Sequence, residues 1–358
     1  MSVEQPKYLT LLTWIKEQIG SSGLKPGDKF YSENELSAMF GLSRQTVRQA
    51  VGLLEKEGVL ERRRGSGTYV TGGARGSRPS SNTVAVISTY LDGYIFPNII
   101  KGIETVLADN GYSMQLALTH NKVENEFRVL KALTEKPVDG VILEPAKSAL
   151  PNPNKRLYEI IRSKNIPLIF FNAWYPDMDF PYIAMDDRMA GGLAANCLIN
   201  AGHKKIAGLF QCDDRQGLLR YEGYIQALRE AGLEVSSGNV LWFSTEDISY
   251  LGEDINRVKR CIDGCTGVVC YNDQIAFTIV TELQKQGIKV PDELSVVGID
   301  NSELASICEV PLTSVAHPIE KLGMKAAENI LELIKDPSFN ACLVFEPELA
   351  ERSSVKYY

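Results

Sequence analysis

Arg44, Gln45 and Arg48 stand within five residues of one another. A guanidinium gives two parallel hydrogen bonds to O6 and N7 of guanine, and a side-chain amide can do the same to adenine. At helical spacing, residues 44 and 48 share a face. Val47, Ala50, Val51 and Leu54 leave that face free. A second polar set follows apolar β runs: Tyr90 to Tyr94 after Thr83–Ser88, Glu144 after Val-Ile-Leu, Asn172 after Ile-Phe-Phe, Asp186 after Tyr-Ile-Ala-Met, then Asn272-Asp273 and Asp300-Asn301. Ligands of open α/β sheets bind beyond the carboxyl ends of the strands. Amides and carboxylates each bond pairs of neighbouring hydroxyls, and aromatic faces such as Trp174 and Tyr94 can cover the apolar face of a sugar. The inventory suits a polyhydroxylated small molecule.

Other chemistries lack their signatures. There is no Gly-x-Gly-x-x-Gly, no Gly-x-x-x-x-Gly-Lys-Ser/Thr and no Gly-x-Ser-x-Gly. The three histidines, His120, His203 and His317, show no metal-ligand spacing. Seven cysteines, none before Cys197, contain no Cys-x-x-Cys pair and read as small core residues. We therefore expect no enzyme, no metal and no cofactor. With no run of 18 apolar residues and no signal peptide, the expected location is the cytoplasm, away from any membrane.

The net charge of −7 is unevenly shared. Residues 1–78 hold 12 Lys+Arg against 8 Asp+Glu, a net of +4, and the rest of the chain carries −11. A basic head on an acidic body localises phosphate attraction to the head. In the head, Tyr8, Leu12, Ile15 and Ile19 make one helical stripe. Ser32 and Glu35 form a capping box for a second helix, with Leu36, Met39 and Phe40 as its buried side and Gly41 as its stop. Ser43 caps a third helix, to about Lys56. Two β runs then flank Gly65-Ser66-Gly67, a hairpin signal.

A helix-turn-helix followed by a basic hairpin is a winged helix. Pro-Gly-Asp-Lys-Phe, Ser-Glu-Asn-Glu-Leu, Gly-Leu-Ser-Arg-Gln-Thr-Val-Arg-Gln-Ala and Gly-Ser-Gly-Thr-Tyr-Val resemble the GntR-type signature over nearly all of residues 6–71. The resemblance implies DNA contacts from Lys7, Glu33, Arg44, Gln45, Thr46, Arg48, Arg64, Gly65, Ser66 and Gly67. The head is assigned to residues 1–71. Residues 72–82, rich in Gly, Ser and Pro, read as a flexible linker.

From residue 83 onward, short β runs alternate with helical stretches, the mark of a parallel sheet covered on both faces. The series is long enough for two α/β lobes, assigned to about 83–180 plus 318–340 and about 181–317 plus 341–358. Cys270-Tyr-Asn-Asp-Gln-Ile-Ala, Leu294-Ser-Val-Val-Gly-Ile-Asp-Asn, Leu312-Thr-Ser-Val and Gly202-His-Lys-Lys-Ile resemble the LacI/GalR-type sensor, a periplasmic-binding-protein-like (type I) domain. The resemblance implies ligand contacts from Asn172, Arg220, Asn272 and Asp300, with His317 at a crossover between lobes.

The fold class is thus multidomain, a winged helix-turn-helix followed by a two-lobed α/β sensor. This pairing of head and body is similar to bacterial arabinose repressors, through Tyr94–Glu104, Glu144–Leu150, which includes Lys147, and Phe345–Leu349. That resemblance implies L-arabinose as effector, a palindromic double-stranded DNA operator and a homodimer. Two alternatives stay open: another effector (a different sugar, a sugar phosphate or a purine), and a metabolic enzyme with a DNA-binding appendage.

Overall fold

The computed structural model describes residues 7–21, 24, 27–56, 59–63, 66–71, 81–91 and 94–358. The chain divides into two units, Met1–Ser81 and Asn82–Tyr358. Among the described residues no helix is long and apolar enough to cross a membrane.

In the first unit, helix α1 (Lys7–Ser21) is followed by α2 (Glu33–Phe40), α3 (Arg44–Lys56) and the hairpin β1 (Leu60–Arg63) and β2 (Gly67–Val70). The capping box of α2 forms: Glu35 N donates to Ser32 Oγ, and Ser32 N donates to Glu35 Oε2 at 2.6 Å. Gly41 closes the helix in the left-handed region. Leu11, Ile15, Phe30, Leu36, Val47, Val51, Leu54 and Val70 build the core. The centre of the α1 stripe is therefore Leu11 and Ile15, with Tyr8, Leu12 and Ile19 at its margin. Met39 is 53% exposed rather than buried, because the helix turns its Leu36 side inward. A bridge between Lys29 and Tyr69 ties the segment before α2 to the wing.

In the second unit, the first lobe is a parallel sheet in the order β13-β7-β6-β5-β3-β4. Its strands are β3 (Thr83–Ser88), β4 (Ser113–Leu118), β5 (Gly140–Leu143), β6 (Leu168–Phe171), β7 (Tyr182–Met185) and β13 (Leu343–Phe345). Helices α4 (Phe96–Asp109), α5 (Val123–Glu135), α6 (Lys155–Ser163) and α12 (Ile319–Lys335) accompany it. The second lobe has the order β14-β12-β11-β10-β8-β9. It contains β8 (Ile206–Gln211), β9 (Val240–Phe243), β10 (Gly267–Cys270), β11 (Ser295–Asp300), β12 (Thr313–Ala316) and β14 (Glu348–Ala350), the last antiparallel to β12. Its helices are α7 (Asp187–Asn200), α8 (Arg215–Glu230), α9 (Ile255–Ile262), α10 (Asp273–Lys285) and α11 (Glu303–Ile307). Apolar clusters fill both faces of each sheet, which is why the central strands read as unbroken apolar runs.

Two lobe limits move. Tyr182–Met185 and Leu343–Phe345 belong to the first sheet, because β7 pairs in parallel with β6 and β13 with β7. The chain therefore passes between sheets after Met185, after Ala316 and between Phe345 and Glu348. A 3-10 turn at Thr245–Tyr250 precedes α9, which begins at Ile255.

Candidate functional sites

In the first unit, Ser43 caps α3 by accepting from Thr46 N at 3.2 Å, and its hydroxyl lies 2.9 Å from Thr46 Oγ1. Thr46 is thereby used inside the helix start. Arg44 and Gln45 are exposed, and the Arg48 side chain keeps 67% of its surface. Arg44 and Arg48, one helical turn apart, project from one face at the helix N-terminal end. Glu33 does not stand free. Its carboxylate accepts from Arg48 Nη2 at 3.1 Å and from Arg62 Nη2 at 2.6 Å. The Arg48 hydrogen bond holds the Glu33 carboxyl below its ordinary range. At the wing, Ser66 Oγ lies 2.6 Å from Tyr69 OH, and Arg63 covers the Tyr69 ring. Gly67 has φ +122°, and a Cβ there would meet Lys29 Cε at 2.9 Å. A side chain would be strained as well as crowded. Arg64, Gly65 and the side chain of Lys7 lie outside the described residues.

In the second unit, the groups after the strands converge between the lobes. Arg220 on α8, 2% exposed, donates through Nε to Asp187 at 2.8 Å, through Nη1 to the Tyr271 carbonyl at 2.7 Å and through Nη2 to Asp300 at 3.2 Å. Burial works against its charge, yet Asp300 and Asp187 hold its pKa above the ordinary value. Burial pushes Asp187 up to about 6, although Arg220 pulls it down. Close helix packing creates this pair. Gly191 of α7 sits so near α8 that a Cβ would come within 1.9 Å of the Arg220 carbonyl oxygen. Tyr94, from the first lobe, donates to the Asp300 carboxylate and accepts from Asp273 N at 3.2 Å.

Glu144 is buried, and burial raises its pKa. It accepts from Thr89 N at 3.0 Å, from the Thr89 hydroxyl and from Asn172 Nδ2 at 2.9 Å. Two buried polar atoms here, Asn172 Oδ1 and His317 Nδ1, have no hydrogen-bond partner among the described residues. Burial lowers His317 to about 4, so its ring is neutral at physiological pH. Asn172 and Asp300 hold positive φ, of 60° and 102°, which re-aims their side chains at the strand ends. Buried, unpaired polar atoms and strained backbone are features of ligand sites.

Asn272 caps α10, accepting from Ile275 N at 3.0 Å. Asp186 caps α7, accepting from Met189 N at 2.9 Å, and the neighbouring Asp187 is the residue that turns to Arg220. Glu222, two residues after Arg220, pairs with Arg188. Trp174 stacks on Tyr182 with ring centroids 4.1 Å apart, and Arg215 of the second lobe covers it at 4.4 Å. A ring cannot hold both on one face, so neither face is open to a sugar in this conformation. Lys147 reaches across the lobes to Asp213 at 2.8 Å and Glu246 at 2.6 Å. Asn121 bonds Asp214 and Thr245, and Ser148 Oγ accepts from Arg215 N at 2.9 Å. Burial, with Asp213 adjacent, pushes Asp214 up to about 7. Asp187, Asn121, Asp213 and Tyr271 were not singled out from the sequence. Asp213 and Asp214 do follow the apolar run of β8, the same signal that marked Asn172 and Asp300.

Residues 7–70 match the family described as bacterial regulatory proteins, gntR family, and residues 195–355 a periplasmic binding protein-like domain. Over 358 residues the chain is 37% identical to the arabinose metabolism transcriptional repressor of Geobacillus stearothermophilus, covering 98% of each. A repressor of the same name from Halalkalibacterium halodurans is also 37% identical, over 96% of each chain. The HTH-type transcriptional repressor PurR of Vibrio atlanticus is 32% identical over 77% of this chain and 82% of its own length. Among solved structures, the transcription regulator CcpA of Lactococcus lactis covers 76% of this chain and 99% of its own, with TM-score 0.68 and 27% identity.

Proposed function

The chain belongs to the family of the arabinose metabolism transcriptional repressors, and on that premise we propose that it is a homodimeric repressor that leaves its operator when L-arabinose binds between its two lobes. The observation that carries the sugar reading is a pair of polar sets at strand ends of the two lobes, Glu144 with Asn172 and Arg220 with Asp300, the latter reached by Tyr94 of the first lobe. Asn172 Oδ1 and His317 Nδ1 have no partner among the described residues. Donors and acceptors on several strand ends can bond the hydroxyls of one small ring from both sides. Carboxylates outnumber cations in the surroundings, with Asp187, Asp213, Asp214, Asp300 and Glu144 against Lys147, Arg215 and Arg220. That balance repels a phosphate, which favours an unphosphorylated sugar.

Arg44 and Arg48 read bases in the major groove, and the wing of β1 and β2 lies along the backbone. Two heads on a two-fold dimer require a palindromic operator. Acting on DNA, the protein works in the cytoplasm. The test is a thermal-shift screen of L-arabinose, other pentoses, hexoses, sugar phosphates and purines, followed by operator release with any ligand that stabilises. L-Arabinose should raise the melting temperature and release the operator. Stabilisation by a purine and not by L-arabinose, in keeping with the PurR relatives, would reassign the effector. Turnover of the stabilising ligand would reveal an enzyme.

A further inference from the structure

Glu33 opens α2 one residue after the cap Ser32. It stands in a groove of about 1100 Å³ whose walls include Lys29, Tyr31, Arg48, Arg62 and Thr68. Both carboxylate oxygens are engaged. Oε2 accepts from Arg48 Nη2 at 3.1 Å and Nε at 3.3 Å, and Oε1 accepts from Arg62 Nη2 at 2.6 Å. On its far side, Arg62 Nε lies 3.1 Å from Glu55 Oε1 of α3, an ion pair without hydrogen-bond alignment. The row Arg48, Glu33, Arg62, Glu55 thus joins α3, α2 and the first wing strand.

A carboxylate repels phosphates, and on a base edge it can only accept, as from the amino group of cytosine. Here its acceptor capacity is spent on two guanidinium groups. We infer that Glu33 is a positioning residue that acts through Arg48 and Arg62, and that it fixes the reading guanidinium and the wing strand against one another without touching DNA. The inference rests on Arg48 as a reader of the operator. It carries a second consequence. Glu33 and Glu55 neutralise two arginines, so these cations are withheld from indiscriminate phosphate contact. Glu33 then favours operator over random DNA twice, by aiming one guanidinium and by muting the local positive field.

The experiment is fluorescence anisotropy of the full chain on a duplex selected from a random pool by the wild-type protein, and on a scrambled duplex, at three salt concentrations. The proteins are wild type, Glu33→Gln, Arg48→Ala and the double variant, with melting curves as the folding control. Glu33→Gln should lower the selected-to-scrambled affinity ratio roughly tenfold. Its salt dependence on scrambled DNA should steepen by about one, as expected when a further cation meets phosphate. In the Arg48→Ala background the same substitution should cost clearly less, because only its hold on Arg62 remains. If Arg48→Ala binds the selected duplex like wild type, the underlying reading of Arg48 falls. If Arg48→Ala loses binding while Glu33→Gln adds its full cost to it, or leaves the ratio unchanged, the positioning role of Glu33 is overturned. Should Glu33→Gln melt early, Glu33→Asp takes its place: the charge is kept and the arm shortened, so the ratio should fall with the salt dependence unchanged. A ratio equal to wild type would count against the inference.

Discussion

At His317 the physics of a single buried ring gives a measurable slope. It sits where the chain leaves β12 for α12, 8% exposed, and burial lowers its pKa from 6.5 to about 4, with Arg220 in the same direction and Asp300 opposed. In the unfolded chain the ring takes a proton below about pH 6.5, and in the fold it does not. The stability it contributes is therefore full above about 6.5 and is lost as pH falls toward 4. Asp187, at about 6, and Asp214 and Asp273, both at about 7, have the opposite sign, since raised carboxylates lose stability as pH rises through those values. Total stability mixes these slopes, but a variant isolates one. His317→Gln should spare the sensor about 2 kcal/mol of the loss between pH 7 and 5, read by urea denaturation at both values. Equal losses in variant and wild type would mean that the ring titrates normally. Much of this site was legible because strand ends are apolar runs followed by a polar residue, as at Asn172 and Asp300. The choice between Asp186 and Asp187 was not legible. Both follow β7, and only the packing of α7 on α8 through Gly191 decides which one meets Arg220.

Between elements, the lobes are held by a cross-cleft row of hydrogen bonds and ion pairs. The loop after β5 supplies Lys147 and Ser148, the turn after β4 supplies Asn121, and β8 leads into Asp213, Asp214 and Arg215. Glu126, buried on α5, accepts from Ala146 N at 2.8 Å and from Tyr175 OH at 3.0 Å, which fixes the loop that carries Lys147. These bonds favour the closed arrangement. A ligand that needs closed lobes binds more weakly when less of the protein is closed. Lys147→Met should therefore weaken sugar affinity about 5–10-fold, and calorimetric titration reads it directly. Undiminished affinity would show that closure does not depend on this cation. The sequence revealed the βα alternation because helices and strands differ in apolar period. It hid β9, a short edge strand with only partial burial, and the sheet membership of β7 and β13, because pairing partners far along the chain leave no local pattern.

For the whole molecule, a regulator is defined by a coupling between two binding equilibria, and a coupling is reciprocal. If L-arabinose lowers operator affinity by some factor, the operator must lower L-arabinose affinity by the same factor, expected at about 5–150-fold. The charge division supports separate measurement of each. Residues 1–78, at +4, are the part proposed to meet DNA, while the proposed sugar contacts are buried, hydrogen-bonded groups in a remainder at −11. Raising salt should thus weaken operator binding steeply and leave sugar affinity nearly constant. Titrating L-arabinose into the free protein and into its operator complex, at one salt concentration, gives the factor from the sugar side. Operator titrations with and without saturating sugar give it from the DNA side. Agreement of the two factors, both well above one, is the expected result. A factor of one from both sides would leave a DNA-binding protein and a sugar-binding protein on one chain, with no switch between them. Unequal factors would mean that a further species, such as a change in the number of chains on the operator, takes part in the transition.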